Sequence, residues 1–140
     1  MSNVLLRMRS MSKLEFWRNG SEVRADLTRY LMRENIVPKR YNQVFRNPGI
    51  DLARKMMEEI TAANTIYPTT EAEVEQRRYH QNEAIAACEQ IIQHLQWLVE
   101  TLPVAVSSTD DIVEKVNKEV ALLKAWRKEN KVLTQKRDRA

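Results

Sequence analysis

Two glycines, four prolines and a single cysteine in 140 residues leave little material for tight turns, disulfides or cysteine metal sites. So few Gly and Pro disfavour a turn-rich β-sandwich or barrel and favour long uninterrupted helices. Cys88 alone can form no intrachain disulfide and cannot assemble a cysteine-based zinc site, which suits a reducing cytoplasm. No apolar run approaches the roughly 20 residues needed to cross a bilayer, and the N-terminus lacks a signal-peptide h-region. A soluble, cytoplasmic, single-domain protein is expected, since 43% hydrophobic residues over this length suffice for one core.

Catalytic patterns are missing too. A ferritin-like di-iron site needs two Glu-x-x-His motifs, and neither His80 nor His94 has Glu three residues before it. There is no phosphate-cradling glycine loop, no H-E-x-x-H pair and no G-x-S-x-G elbow. His80 and Glu83 share a helical face, where a surface or interface pair is commoner than acid–base chemistry. Cys88 sits between Ile85 and Ile92 on an apolar seam, the setting of a buried, unreactive thiol. No enzyme, cofactor or metal is expected.

What the chain does have is charge sorted into blocks. Residues 1–46 carry 10 Lys or Arg against 4 acids, residues 47–123 carry 6 against 13, and residues 124–140 carry 7 against 2. Both ends are basic and the middle is acidic.

Four amphipathic segments can be read from the apolar spacing. Phe16, Gly20, Val23, Leu27 and Leu31 predict a helix over about 14 to 35, running through Asn19-Gly20. Pro38 opens a loop; Asn47 and Pro48 then fit the N-cap and first position of a second helix, which ends near Asn64. Thr70 and Glu73 match a capping box for a third helix, along which Val74, Arg78, Gln81, Ile85, Cys88, Ile92, Leu95, Val99 and Leu102 make a seam. After Pro103 and a loop to Ser107, Ser108 or Thr109 caps a fourth helix with the stripe Val113, Val116, Val120 and Leu123. Short connections favour an all-α, antiparallel up-down-up-down four-helix bundle over residues 13–130. Residues 1–12 would be a flexible extension, and 131–140 a charged, solvated tail.

Four clusters rise above this background: Lys39-Arg40-Tyr41, Ala63-Asn64-Thr65-Ile66-Tyr67, Arg77-Arg78-Tyr79-His80-Gln81 and Leu123-Lys124-Ala125-Trp126-Arg127-Lys128. In this order and spacing the set resembles the four-helix-bundle proteins related to Avd, the accessory variability determinant of diversity-generating retroelements, and the kindred bacterial ribosomal intervening-sequence proteins. The resemblance covers roughly residues 13–130. It implies a barrel-like homopentamer with a basic surface that binds structured nucleic acid and partners a reverse transcriptase in making mutagenised cDNA.

The residues independently suggest where nucleic acid would bind. Lys124, Arg127, Lys128 and Lys131 cluster on one side of the fourth helix with Trp126 beside them, a pairing of phosphate-neutralising and stacking groups. Arg29 and Arg33 of the first helix, Lys39 and Arg40 of the first loop, and Arg77 join them as candidate contacts. An antiparallel bundle would make the first and fourth helices neighbours and so bring the two basic blocks together. Arg78, on the apolar seam, needs either an acid such as Glu58 or Glu59 or a place at a subunit interface or ligand, because an unpaired buried charge is costly. The alternative reading is a scaffold acting through self-association and protein partners, its charges serving solubility. A nuclease of the helical toxin type would need an Arg-to-His catalytic motif that the chain does not show.

Overall fold

The computed structural model describes residues 14–133. Within them lie four α-helices and no strand: α1 (Glu15–Met32), α2 (Asn47–Thr65), α3 (Glu71–Thr101) and α4 (Asp110–Lys128). The all-helical, four-helix class is therefore what the described chain forms. The extension expected at 1–12 and the tail from 134 onward lie outside the described residues.

Successive helices meet along their apolar stripes. Gly20 lies against Met57, and Gly49 against Leu31. His80 reaches Glu59, Cys88 reaches Met56, and His94 reaches Phe45. α4 and the residues after it meet α3 through Arg127–Asn82 and Asn130–Val74. α4 meets α1 through Phe16–Trp126 and Asn19–Glu119, and the turn before it through Tyr30–Ser108. Leu27, Leu31, Phe45, Met56, Ile60, Ile91, Leu95, Leu98 and Leu123 are fully enclosed at the centre.

α1 runs unbroken through Asn19 and Gly20, as its stripe predicts. The glycine is required by proximity: a Cβ there would stand 2.8 Å from Glu119 Oε2 and 2.9 Å from Met57 Sδ.

The entry to α2 differs from the sequence reading. Helical backbone begins before Asn47, as a 3-10 turn at Lys39–Tyr41 followed by a π-helical turn at Asn42–Arg46, and the Asn47 N–H bonds the Asn42 carbonyl. Asn47 is thus inside the helical run and caps nothing. The wide turn has a physical reason: Pro48 offers no N–H and its ring would crowd the carbonyl four residues back, which a π turn relieves. It also carries Phe45 inward onto Trp97, their ring centroids 4.6 Å apart.

α3 starts as expected. Thr70 Oγ1 accepts the Glu73 N–H, and the Glu73 carboxylate accepts the Thr70 N–H in return. Thr70→Ala should cost about 1 kcal/mol in urea unfolding, with the transition remaining a single step. The seam, however, shifts by one residue at Ile92 and Val99. Val74, Gln81, Ala84, Cys88, Ile91, Leu95 and Leu98 are buried, whereas Ile92 and Val99 are only partly covered. The buried residues keep Val74, Gln81, Ile85, Cys88, Leu95 and Leu102 of the predicted seam and put Ile91 and Leu98 in place of Ile92 and Val99, with Arg77 and Arg78 both partly covered.

At the far end, a 3-10 turn at Val106–Thr109 leads into α4 with no side-chain cap, so neither Ser108 nor Thr109 plays the expected role. The chain also does not leave the bundle after Lys128. Asn130 is buried, its Nδ2 donating to the Val74 carbonyl at 2.9 Å, and the Leu133 N–H bonds the Pro68 carbonyl at 2.8 Å.

Candidate nucleic-acid interface

Where α3 begins and α4 ends, the two helices place their basic residues side by side. Arg78, Asn82, Lys124, Arg127 and Lys128 line one shallow groove of about 560 Å³. Arg127 Nη1 donates to Asn82 Oδ1 at 2.9 Å, which fixes one wall. Of the four cations only Arg78 has an acid within ion-pair distance among the described residues, Glu75 at 2.8 Å on its own helix. The groove therefore concentrates positive charge, and part of that charge also suits the negative end of the α4 dipole.

The arginine pair reverses the sequence expectation. Arg78 is about two-fifths exposed and pairs with Glu75; Glu59, one of its expected partners, instead takes His80 Nδ1 at 2.6 Å. Arg77 is the one drawn inward. Its guanidinium lies over the Trp126 ring at 5.2 Å, and its Nε is buried without a hydrogen-bond partner. Burial holds the Arg77 pKa below its ordinary value. Phe16 also stacks on the indole, its ring 4.1 Å from Trp126 at an interplanar angle of 15°. Trp126 is partly buried and, through Phe16 and Arg77, joins α1, α3 and α4.

The remaining candidates lie elsewhere. Arg29 is exposed and paired with Asp26 at 2.6 Å, Arg33 and Lys39 are exposed, and Arg40 lies 5.0 Å from the Tyr41 ring centroid. These belong to the end of α1, whereas Phe16 at its start is the residue that meets Trp126. At 1.5 Å per residue, Arg29 stands about 20 Å along the axis from that contact. α1 and α4 are neighbours, but the candidate contacts Arg29 and Arg33 of the first helix lie at the opposite end from Lys124, Arg127 and Lys128, so these two sets do not merge. Lys131 is exposed in the segment that folds back toward Pro68.

No family model, curated protein or solved structure matches the chain.

One feature that spacing and charge passed over is a buried acid. Glu119 of α4 is fully enclosed; its Oε1 accepts a 3.1 Å hydrogen bond from Asn19 Nδ2, while its Oε2 has no partner. Burial pushes its pKa up to about 7, against the small opposing effects of the Asn19 hydrogen bond and Lys118. The signal was present: Ile112, Val116, Glu119 and Leu123 step by 4, 3 and 4, which puts the acid on the buried stripe. Nearby, Cys88 is enclosed and its thiol pKa is raised by burial, which makes it inert. His94 Nε2 bonds the Phe45 carbonyl at 2.7 Å and helps hold the π turn. Among the described residues no three His, Cys, Asp or Glu converge as cation ligands, and no helix is long and apolar enough to cross a membrane.

Proposed function

We propose that the chain is a non-catalytic, Avd-like accessory protein that binds structured nucleic acid. In this reading its helices pack antiparallel, up-down-up-down, and it acts in the cytoplasm as a homo-oligomer, a pentamer by resemblance. Its partner is the reverse transcriptase of a diversity-generating retroelement, with template RNA held during mutagenic cDNA synthesis. The observation that carries the nucleic-acid part is the convergence of Arg78, Lys124, Arg127 and Lys128 on one groove with a single acid to offset them. Such a groove gains affinity by releasing counterions from neighbouring phosphates. The four sequence clusters carry the rest.

The test is anisotropy of a labelled structured RNA, titrated at two salt concentrations. The combined variant Lys124→Ala, Arg127→Ala, Lys128→Ala should weaken binding at low salt by about tenfold or more and flatten the salt slope by about 2 to 3. An unchanged slope would remove this groove from the reading, and no binding at low salt would remove nucleic acid altogether. In that case the scaffold reading stands, favoured by the partly exposed apolar residues on the same α3–α4 side.

A further inference from the structure

Those apolar residues form a groove of their own. Ile92 and Val99 of α3, with Val106 and Val113 before and within α4, line a cleft of about 480 Å³. Val106 is 64% exposed, and the other three are only partly covered. Asp110 and Glu114 stand on the rim, and neither has an ion-pair partner among the described residues. Such a cleft is complementary to a short segment of mixed apolar and basic side chains.

The chain supplies one. Residues 1–13 contain Val4, Leu5, Leu6, Met8 and Met11 with Arg7, Arg9 and Lys13, and no acid. α1 begins just after Leu14 with Phe16 against Trp126, close to the cations Lys124, Arg127 and Lys128. Asn117, at the near end of the cleft, is nine residues back along α4, about 14 Å, and Val113 is about 20 Å away. Between Leu14 and Leu5 the extended chain spans up to about 30 Å, enough to cross α4 and reach the cleft.

We propose that this chain's own residues 4–9 dock in the α3–α4 cleft, apolar side chains against Ile92, Val99 and Val113, arginines toward Asp110 and Glu114. Charge and reach both select that end of the bundle over the cationic end. The docked segment covers apolar surface otherwise left to solvent, and it can be displaced by a partner that presents the same chemistry.

Trypsin cleavage after Arg7 and Arg9 of the full chain, followed by mass spectrometry and compared with a free peptide of residues 1–13, tests this. Cleavage in the chain should be slower by about tenfold. Two variants that keep the helical circular dichroism should restore it to within about twofold of the free peptide: Val106→Ser with Val113→Ser, and Asp110→Asn with Glu114→Gln. The second pair leaves the cleft walls intact, so it still tests the docking if the first perturbs the fold. Free-peptide rates in the unaltered chain would overturn the proposal. So would protection that grows with protein concentration, because a second copy would then be the occupant.

Discussion

Glu119→Gln should raise the stability of the bundle by about 3 kcal/mol at pH 8 and change it little at pH 4.5. The unfolded carboxyl titrates near its usual 4.5, while the enclosed one titrates near 7. Between those values the unfolded state has released its proton and the folded state keeps it, so the folded state binds more protons and stability falls as pH rises. Below about 4.5 both states are protonated and nothing is lost; above about 7 both are ionised and the full cost of an enclosed carboxylate is present. Glutamine preserves the acceptor for Asn19 Nδ2 and removes the charge. Asp26, held below its usual range chiefly by its hydrogen bond to Lys115, acts in the opposite sense but at lower pH, so the two windows do not overlap. Urea unfolding of both proteins from pH 4.5 to 8 should give curves that meet at the acid end and part above it. Parallel curves would mean that Glu119 is solvated or paired in a way its surroundings do not indicate.

The same residue shows how far the sequence could be read. α1 was legible because only one face of it is apolar: Phe16, Gly20, Val23, Leu27 and Leu31 are all buried. α3 and α4 each carry apolar residues on two flanks of one anchor row, and spacing alone cannot choose between Ile91 and Ile92, or between Leu98 and Val99. Reading took the outer flank, which made Arg78 the anomalous seam residue. Packing took the inner one, which brings in Ile91, Leu98 and Glu119 and draws Arg77 toward Trp126. The polar residues Arg77 and Glu119 argued for the outer flank, yet Trp126 makes partial provision for the first, and Asn19 and the approach at Gly20 for the second. The outer flank does not vanish into solvent; it becomes the cleft of Ile92, Val99, Val106 and Val113. Likewise the cations of α4 were legible as a cluster, since helical spacing alone gathers them. Their distance from Arg29 and Arg33 follows from which ends of α1 and α4 coincide, and adjacency of the helices does not specify that.

Trp126→Ala should lower stability by about 3 kcal/mol, while Trp126→Leu should cost roughly half as much and leave RNA affinity unchanged wherever the protein is folded. Truncation to alanine removes the ring on which Phe16 stacks at 4.1 Å and uncovers an Arg77 side chain whose Nε already lacks a partner. It also loosens the contact among three helices at one end of the bundle. Leucine keeps much of the packing but abolishes stacking of any kind. A base stacked on Trp126 would contribute about 1 to 3 kcal/mol to binding, so Trp126→Leu would weaken RNA affinity by tenfold or more if the indole were its platform. With Phe16 stacked on the ring and Arg77 over it, the indole is already engaged within the bundle, and the variant should bind RNA like the unaltered chain. Affinity then follows Lys124, Arg127 and Lys128, with Trp126 acting as the strut that holds their helix end against α1 and α3. Loss of RNA binding by folded Trp126→Leu, at unchanged salt slope, would show that Phe16 or Arg77 moves aside to admit a base.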